Sequence, residues 1–197
     1  NPLALGQISA ALSVALYEGV ANGPEPPPSR FPTVANGGLV SATAVEFPDL
    51  PGVTYSGSYN PLHLFDHRAL PPTRGDAYTV LMARTDADGN MVDGVRHPNL
   101  VAPIGTHTGW NLRRAGFALG EQCGGTGSFL PFATTLAERQ ATSDPRRSVE
   151  ERYPDHLTYV RAVSEAADAL VRDRLLLEVD AEQIVRLAKG SRLKPQD

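Results

Sequence analysis

The densest group of side chains able to do chemistry lies in residues 106–116, which read THTGWNLRRAG. A hydroxyl, an imidazole, an indole and an amide stand there at Thr106, His107, Trp110 and Asn111. Loops that mix polar, aromatic and glycine residues so closely carry function more often than regular elements do. These four residues are therefore the candidate substrate-binding residues.

The same segment also has a purely structural interpretation. Trp110, the single tryptophan, would anchor the loop on a core, and Asn111 would bond to its own backbone. In the functional interpretation, His107 and Asn111 line a pocket and contact substrate. Trp110 is expected to be buried, and Gly109 is expected to permit a conformation or close approach that a side chain would block.

No catalytic residue can be assigned from a known nucleophile motif. The nucleophile elbow requires Gly-x-Ser-x-Gly, which occurs nowhere in the 197 residues. The nearest approach, Gly127-Ser128, runs into Phe-Leu-Pro instead of a helix, so Ser128 is interpreted as a turn residue. Ser191-x-x-Lys194 has a β-lactamase spacing without the other motifs of that family.

No metal site is expected. The run Asp86-x-Asp88-x-Asn90 resembles the start of a calcium loop, but Met91 replaces the required glycine, so a hairpin turn explains it better. A histidine pair four residues apart, at positions 63 and 67, would form a ligand pair only on a helix, and the surrounding prolines disfavour one.

No cofactor is expected either. The glycines of residues 120–127 lack the helix and the lysine of a phosphate-binding loop. Cys123 has no histidine or lysine beside it in sequence, so a small buried apolar role is favoured over a reactive thiol.

Composition excludes several other classes. The net charge of −4 and the lack of a basic stripe argue against nucleic-acid binding. No apolar run approaches the about 20 residues that span a bilayer. One cysteine rules out an internal disulfide framework. A chain that starts at Asn1 without a methionine is expected to derive from a longer one. The sequence does not determine its compartment, and export is one of the alternatives.

The first element predicted is an amphipathic helix. Asn1 is its expected N-cap and Pro2 its first residue, and Gly23 ends it. One apolar stripe needs a packing partner; it comprises Leu5, Ile8, Leu12, Leu16 and Val20. Because the next residues, 23–75, are rich in proline and glycine, we expect the chain not to be self-sufficient and this stripe to contact a partner or stay exposed.

The middle of the chain predicts a small β unit. Residues 34–39 form a short Asn-Gly hairpin, and residues 47–75 form a long connection over a partner surface. Residues 77–84 are predicted as a strand, paired with a returning strand at 91–97; residues 100–104 would add another.

The last third predicts helices. Thr135 with Glu138 and Ser148 with Glu151 form capping boxes. A long helix is expected over residues 155–175, with an apolar face that includes Leu157, and a last helix starts at Asp180 with Gln183. Residues 191–197 are expected to fray.

Residues 95–153 resemble the C-terminal region of a poorly characterised bacterial α/β-hydrolase-domain family of presumed esterase type. The most specific parts are TGWNLR at 108–113, DPR at 144–146 and EERY at 150–153. The first helix and the PPPSRFP run at 26–32 resemble that family's last hydrolase-domain helix and the segment leaving it.

The resemblance implies an α+β, partial α/β architecture. Residues 1–23 would be the last helix of the hydrolase domain, 24–76 a crossing segment with a short hairpin, 77–190 an appended α+β cap and 191–197 a flexible tail. It also implies a serine hydrolase of carboxylic esters or related acyl compounds, whose nucleophile and catalytic histidine lie upstream of Asn1. The expected partners are the rest of that hydrolase and a small acyl substrate. The alternative is a non-enzymatic interaction module that uses residues 106–114 as its recognition surface.

Overall fold

The computed structural model describes residues 2–3, 5–55, 57, 62–124, 127–191 and 193. Within them the fold is α+β, with six α-helices, one short 3₁₀ turn and four two-stranded antiparallel ladders. No helix in this described part is both long and apolar enough to cross a membrane.

Two antiparallel helices form the centre of the core. Helix α5 (His156–Arg172) packs on α6 (Glu178–Gly190), and α5 buries its apolar face, which comprises Val160, Val163, Ala167 and Leu170. Asp155 caps α5 by accepting from Thr158 N at 2.7 Å. The predicted long helix is confirmed, although it ends at Arg172. Leu157 is 77% exposed, so its assignment to the apolar face was wrong.

Helix α1 (Leu5–Asn22) buries the small side chains of Ala11 and Ala15. Of the predicted stripe, Ile8 packs against the core, whereas Leu5 is 72% exposed and Leu12, Leu16 and Val20 are also exposed. The expected exposed apolar surface is therefore present in this chain.

The ends of α1 differ in how well the sequence predicted them. Gly23, with φ of +87°, follows the last helical residue as predicted. The helix begins at Leu5, so Pro2 is not its first residue, and the predicted cap Asn1 lies outside the described residues.

Residues 34–39, predicted as a hairpin, form a turn, and the strand that follows it pairs with a distant segment. Gly37 has φ of +69°, and the Leu39 N–H donates to Thr33 O, closing the turn. However, β1 (Leu39–Ser41) pairs with β4 (Leu81–Ala83), with Leu39 opposite Ala83. The local hairpin was therefore wrong, because a distant segment supplies the partner strand.

The predicted connection at 47–75 contains regular structure. Strand β2 (His63–Asp66) pairs with β3 (Thr73–Ala77) as an exposed hairpin. The predicted strand at 77–84 is split, since β3 ends at Ala77 and β4 begins at Leu81 in a different ladder. Part of the connection, residues 56 and 58–61, lies outside the described residues.

The segment before the candidate site is helical where a strand was predicted. Residues 91–97 form one bridge, Thr85 to Met91, instead of a returning strand. Helix α2 (Pro98–Val101) replaces the strand predicted at 100–104. Pro98 suits the first turn of a helix, and His97 caps it, so local capping outweighed the apolar run.

Two short ladders and two short helices lie between α2 and α5 in the described part of the chain. Strand β5 (Gly105–His107) pairs with β8 (Phe129–Pro131), and β6 (Asn111–Leu112) pairs with β7 (Gln122–Cys123). Helices α3 (Leu136–Thr142) and α4 (Val149–Arg152) follow β8.

The caps of α3 and α4 match their sequence signals. The Ser148–Glu151 capping box is complete. Thr135 caps α3, but the Glu138 carboxylate accepts from Thr134 N, so the second half of that box was wrong.

The start predicted for the last helix was also wrong. Helix α6 begins at Glu178, and Asp180 lies in its first turn, where its carboxylate accepts from Gln7 Nε2 at 3.5 Å. In the predicted tail, residues 192 and 194–197 lie outside the described residues.

Candidate functional site

Strand β5 positions two of the four candidate residues and approaches β8 unusually closely. Thr106 pairs with Leu130 and His107 with Phe129. A Cβ at Gly105 would lie 2.5 Å from the Phe129 ring and 2.7 Å from Leu130 O. Only glycine allows this approach.

The glycine singled out from the sequence does not have this role. A Cβ at Gly109 would meet no atom within 4 Å, and its φ is outside the left-handed region. The prediction for Gly109 was wrong, and the close backbone approach occurs four residues earlier in the chain.

Asn90 fixes the position of β5. Its side chain is completely buried; its Nδ2 donates to Gly105 O at 3.1 Å, and its Oδ1 accepts from His107 N at 2.8 Å. Asp86 Oδ1 accepts from both Asp88 N and Asn90 N, which closes the turn and directs Asn90 inward. The Asp-x-Asp-x-Asn run thus braces the strand, a role that the sequence did not suggest.

The Thr106 hydroxyl is held inside the protein. Thr106 has no exposed surface; its Oγ1 donates to Asp88 O and accepts from Arg146 Nη1 at 2.8 Å. Both hydrogen-bonding functions of the hydroxyl are engaged within the protein.

Arg146 is a buried cation with a full set of partners. Its Nε and Nη2 donate to the Asp144 carboxylate at 2.9 and 2.6 Å, and it also donates to Leu130 O and Pro131 O. Burial raises the pKa of Asp144, but hydrogen bonds from Arg146 outweigh it and leave that pKa below its usual value. The Asp144–Arg146 pair therefore joins β8 to β5. The DPR part of the resemblance contains both residues.

His107 is held as a neutral imidazole. It is 7% exposed, and its ring centroid lies 4.8 Å from that of Phe129. Burial, with a further contribution from the nearby His97, lowers the pKa of His107 to about 4. At neutral pH its ring can donate one hydrogen bond and accept another without carrying charge.

His97 lies close to His107, and the sequence did not single it out. Its Nδ1 accepts from Asn99 N at 3.2 Å, so the ring hydrogen is on Nε2, which is 3.3 Å from Gln7 Oε1. Burial lowers the pKa of His97. The only local signal was its place before Pro98, where it caps α2.

Trp110 is buried as expected. It is 6% exposed, and its ring lies 5.3 Å from Phe47 and 5.9 Å from Tyr55, measured between centroids. Thr108 Oγ1 donates to Trp110 O at 2.5 Å and accepts from Ser128 N at 2.9 Å. This supports the anchoring interpretation of the tryptophan.

Asn111 is half-buried, and its side chain links β6 to the residue that precedes β8. Its Oδ1 accepts from Leu112 N at 3.0 Å, as the structural interpretation predicted, and from Ser128 Oγ at 2.7 Å. Ser128 lies directly before β8 and not in the expected turn, and its hydroxyl bonds to another side chain. Among the described residues, no group of three or more His, Cys, Asp or Glu side chains could hold a metal ion.

Comparison with known families identifies the chain. A family model described as Alpha/beta hydrolase domain matches residues 1–186. The chain belongs to this family, so the resemblance inferred from the sequence is confirmed at that level. No curated protein and no solved structure matches it.

Proposed function

We propose that this chain is part of a hydrolase that cleaves carboxylic esters or related acyl compounds. The observation that carries the proposal is the buried, neutral His107 on β5, in a chain that belongs to the alpha/beta hydrolase domain family. A neutral imidazole with its backbone fixed by Asn90 suits a polar contact to an uncharged acyl substrate.

The proposed reaction is acyl transfer to water in two steps. A nucleophilic oxygen attacks the acyl carbon, and the alcohol leaves with the proton that a general base took from the nucleophile. Water then attacks the acyl-enzyme and releases the acid. We place the nucleophile outside this chain, because the sequence contains no Gly-x-Ser-x-Gly. The resemblance to the hydrolase family implies that the catalytic histidine lies outside it as well.

The four candidate residues contribute differently to the proposed pocket wall. His107 and Asn111 supply polar groups for substrate. Thr106, through Arg146, and Trp110, through its aromatic neighbours, hold the segment in place. Rigid support of this kind keeps contacting groups in a productive geometry.

The test compares His107→Gln with wild type in the intact hydrolase. Glutamine retains polarity and much of the volume, whereas alanine would leave a cavity beside Phe129. We expect kcat/KM for p-nitrophenyl esters to fall by about tenfold, equivalent to about 1.4 kcal/mol. The rate of labelling by a small fluorophosphonate probe should stay near that of wild type. His67→Gln, at an exposed position, is the control.

Two results would revise this proposal. Loss of fluorophosphonate labelling in a folded His107→Gln enzyme would make His107 a candidate general base. Unchanged kinetics with every ester would leave the segment with a structural role alone. Independently, a Gly-x-Ser-x-Gly followed by an acid and a histidine in the coding sequence upstream of Asn1 would support the enzyme.

The alternative is a binding module, for which residues 106–114 were the expected recognition surface. Much of that surface is buried, including Thr106, His107 and Trp110, but one neighbouring observation favours a module. The tip of the β6–β7 hairpin exposes Phe117 and Leu119, and the Arg114 guanidinium lies 5.1 Å from the Phe117 ring centroid. Exposed apolar residues beside a cation are typical of recognition surfaces. Phe117→Ser should leave ester hydrolysis unchanged if the chain serves an enzyme, and should abolish partner binding if it serves as a module.

A further inference from the structure

A small pocket lies between the start of α1, the start of α2 and the α5–α6 pair. Its volume is about 280 Å³. At about 30 Å³ per water molecule, this corresponds to about nine water volumes, enough for a small organic molecule. The polar residues of its wall are Gln7, His97, Asn99, Tyr159, Gln183 and Ser191.

The described residues of the wall carry no charge at neutral pH. His97 is neutral because burial lowers its pKa, and the other side chains are amides, hydroxyls or apolar groups. Ile184, Leu187 and Ala188 of α6 supply an apolar side. Asp180 accepts from Gln7 but is not part of the wall. No side chain among these described wall residues would offer an opposite charge to an entering ion, which would lose hydration on binding.

Tyr159 points to a ligand. It is 5% exposed, yet its hydroxyl has no hydrogen-bond partner in the described part of the chain. The neighbouring Tyr153, whose ring lies 5.2 Å away, donates its hydroxyl to Pro103 O at 3.0 Å. The rest of the side chain is buried, but the unpaired hydroxyl lines the pocket, where it can donate to an acceptor on a bound molecule. Because burial raises the pKa of Tyr159, the hydroxyl stays protonated and can donate.

Further polar groups can orient a bound molecule. The side-chain amides of Asn99 and Gln183 form no hydrogen bonds within the described residues, and each offers both a donor and an acceptor. A few convergent polar groups beside an apolar wall are typical of small-molecule sites.

We propose that this pocket binds an uncharged small molecule in which a carbonyl or hydroxyl oxygen adjoins a short apolar group. The oxygen accepts from the Tyr159 hydroxyl, and the apolar group packs on Ile184 and Leu187. The inference rests on the residues of this pocket and not on the proposed hydrolytic activity.

The first experiment compares three probes of similar size and different charge: butyramide, butyrate and pentylammonium. The protein is labelled with 3-fluorotyrosine, and the Tyr159 fluorine resonance is assigned by its loss in Tyr159→Phe. We expect butyramide to shift that resonance saturably, and both ions to bind about tenfold more weakly. Equal or tighter binding of either ion, or no saturable shift with butyramide, would overturn the proposal.

The second experiment uses the neighbouring tyrosines as a matched pair. Tyr159→Phe should weaken butyramide binding about threefold to tenfold without changing the urea midpoint, because its hydroxyl forms no bond within the described protein. Tyr153→Phe should lower the urea midpoint, because it loses the hydrogen bond to Pro103 O. It should leave butyramide affinity unchanged, because Tyr153 is not part of the pocket wall.

A second wall variant guards against an indirect effect of Tyr159→Phe. Gln183 is exposed apart from its contact with the pocket, so Gln183→Leu should fold normally and weaken butyramide binding. Unchanged butyramide affinity in both Tyr159→Phe and Gln183→Leu would show that the probe binds elsewhere and would refute the assignment.

Discussion

Replacing Trp110 with alanine tests whether burial of one side chain anchors the candidate site. Trp110 is 6% exposed and contacts two other rings, Phe47 edge-on at an interplanar angle of 61° and Tyr55 at 43°. Phe47 and Tyr55 also stack on each other at 5.7 Å. The three rings tie the site to residues 47–55, which contain no regular element beyond a single bridge between Leu50 and Val53.

The expected magnitude follows from burial and from the ring contacts. Truncating a buried tryptophan to alanine costs about 3–5 kcal/mol, through lost transfer free energy and the cavity left behind. Aromatic pairs contribute about 0.5–1.5 kcal/mol beyond their buried area. The irregular segment that carries Phe47 and Tyr55 can collapse into part of the cavity, so we expect about 3–4 kcal/mol for Trp110→Ala. Trp110→Phe keeps an aromatic ring in place and should cost about 1–2 kcal/mol.

The assay is urea unfolding followed by far-ultraviolet circular dichroism. Tryptophan fluorescence is unsuitable, because Trp110 is the only tryptophan and each Trp110 variant removes the probe. A double-mutant cycle with Phe47→Leu should give a coupling free energy of about 0.5–1.5 kcal/mol. A loss below about 1 kcal/mol for Trp110→Ala, or no coupling to Phe47, would show that the cluster does not anchor the site.

Further predictions concern the same strand and the capping box, with urea midpoints as the measurement. Gly105→Ala should destabilise the protein by about 2–4 kcal/mol, because its Cβ would overlap Phe129 and Leu130. Gly109→Ala is at an open position and should change the free energy of unfolding by no more than about 0.5 kcal/mol. Equal effects of the two substitutions would contradict the β5–β8 geometry. Ser148→Ala should cost about 1 kcal/mol. The Ser148 backbone N–H and hydroxyl both donate to the Glu151 carboxylate and lower its pKa to about 2, so the contribution of these two bonds is present above pH 4.5 and is lost as pH falls toward 2. Ser148→Ala removes the hydroxyl bond and keeps the backbone bond, so the acid dependence should become shallower without disappearing. An unchanged profile would show that the hydroxyl does not bond to Glu151. His107 has a usual pKa of 6.5 and a folded value of about 4, so the unfolded chain takes up a proton first and stability falls between pH 6.5 and 4. His107→Gln should flatten this decline relative to wild type, and an equally steep decline would show that His107 is not buried as a neutral group.

Local interactions were predictable from the sequence. The Ser148–Glu151 box, the glycine that ends α1 and the apolar spacing of α5 are each determined by residues within about two helical turns of one another. The burial of Trp110 was predictable too, because a large aromatic ring in a loop gains most by packing on a core. Family membership also followed from the order of residues alone.

Strand pairing was not predictable in the same way. A strand signal at 77–84 gave no indication that the chain would divide between two ladders, or that β4 would pair with β1. A local apolar run also predicted a strand where α2 forms, because its capping by His97 was not recognised. Backbone hydrogen bonds between distant segments depend on where the rest of the chain folds, and short strands carry little information about their partners.

The candidate site combines both kinds of information. The sequence identified His107 and Asn111 by their chemistry. Only the tertiary structure showed that Asn90 braces His107, that Arg146 reaches Thr106, and that His97 lies near enough to lower the pKa of His107. These properties depend on burial and on contacts across long sequence separations. A side chain's identity determines which bonds it can form, but its protonation state and partners are determined by the surfaces that enclose it after folding.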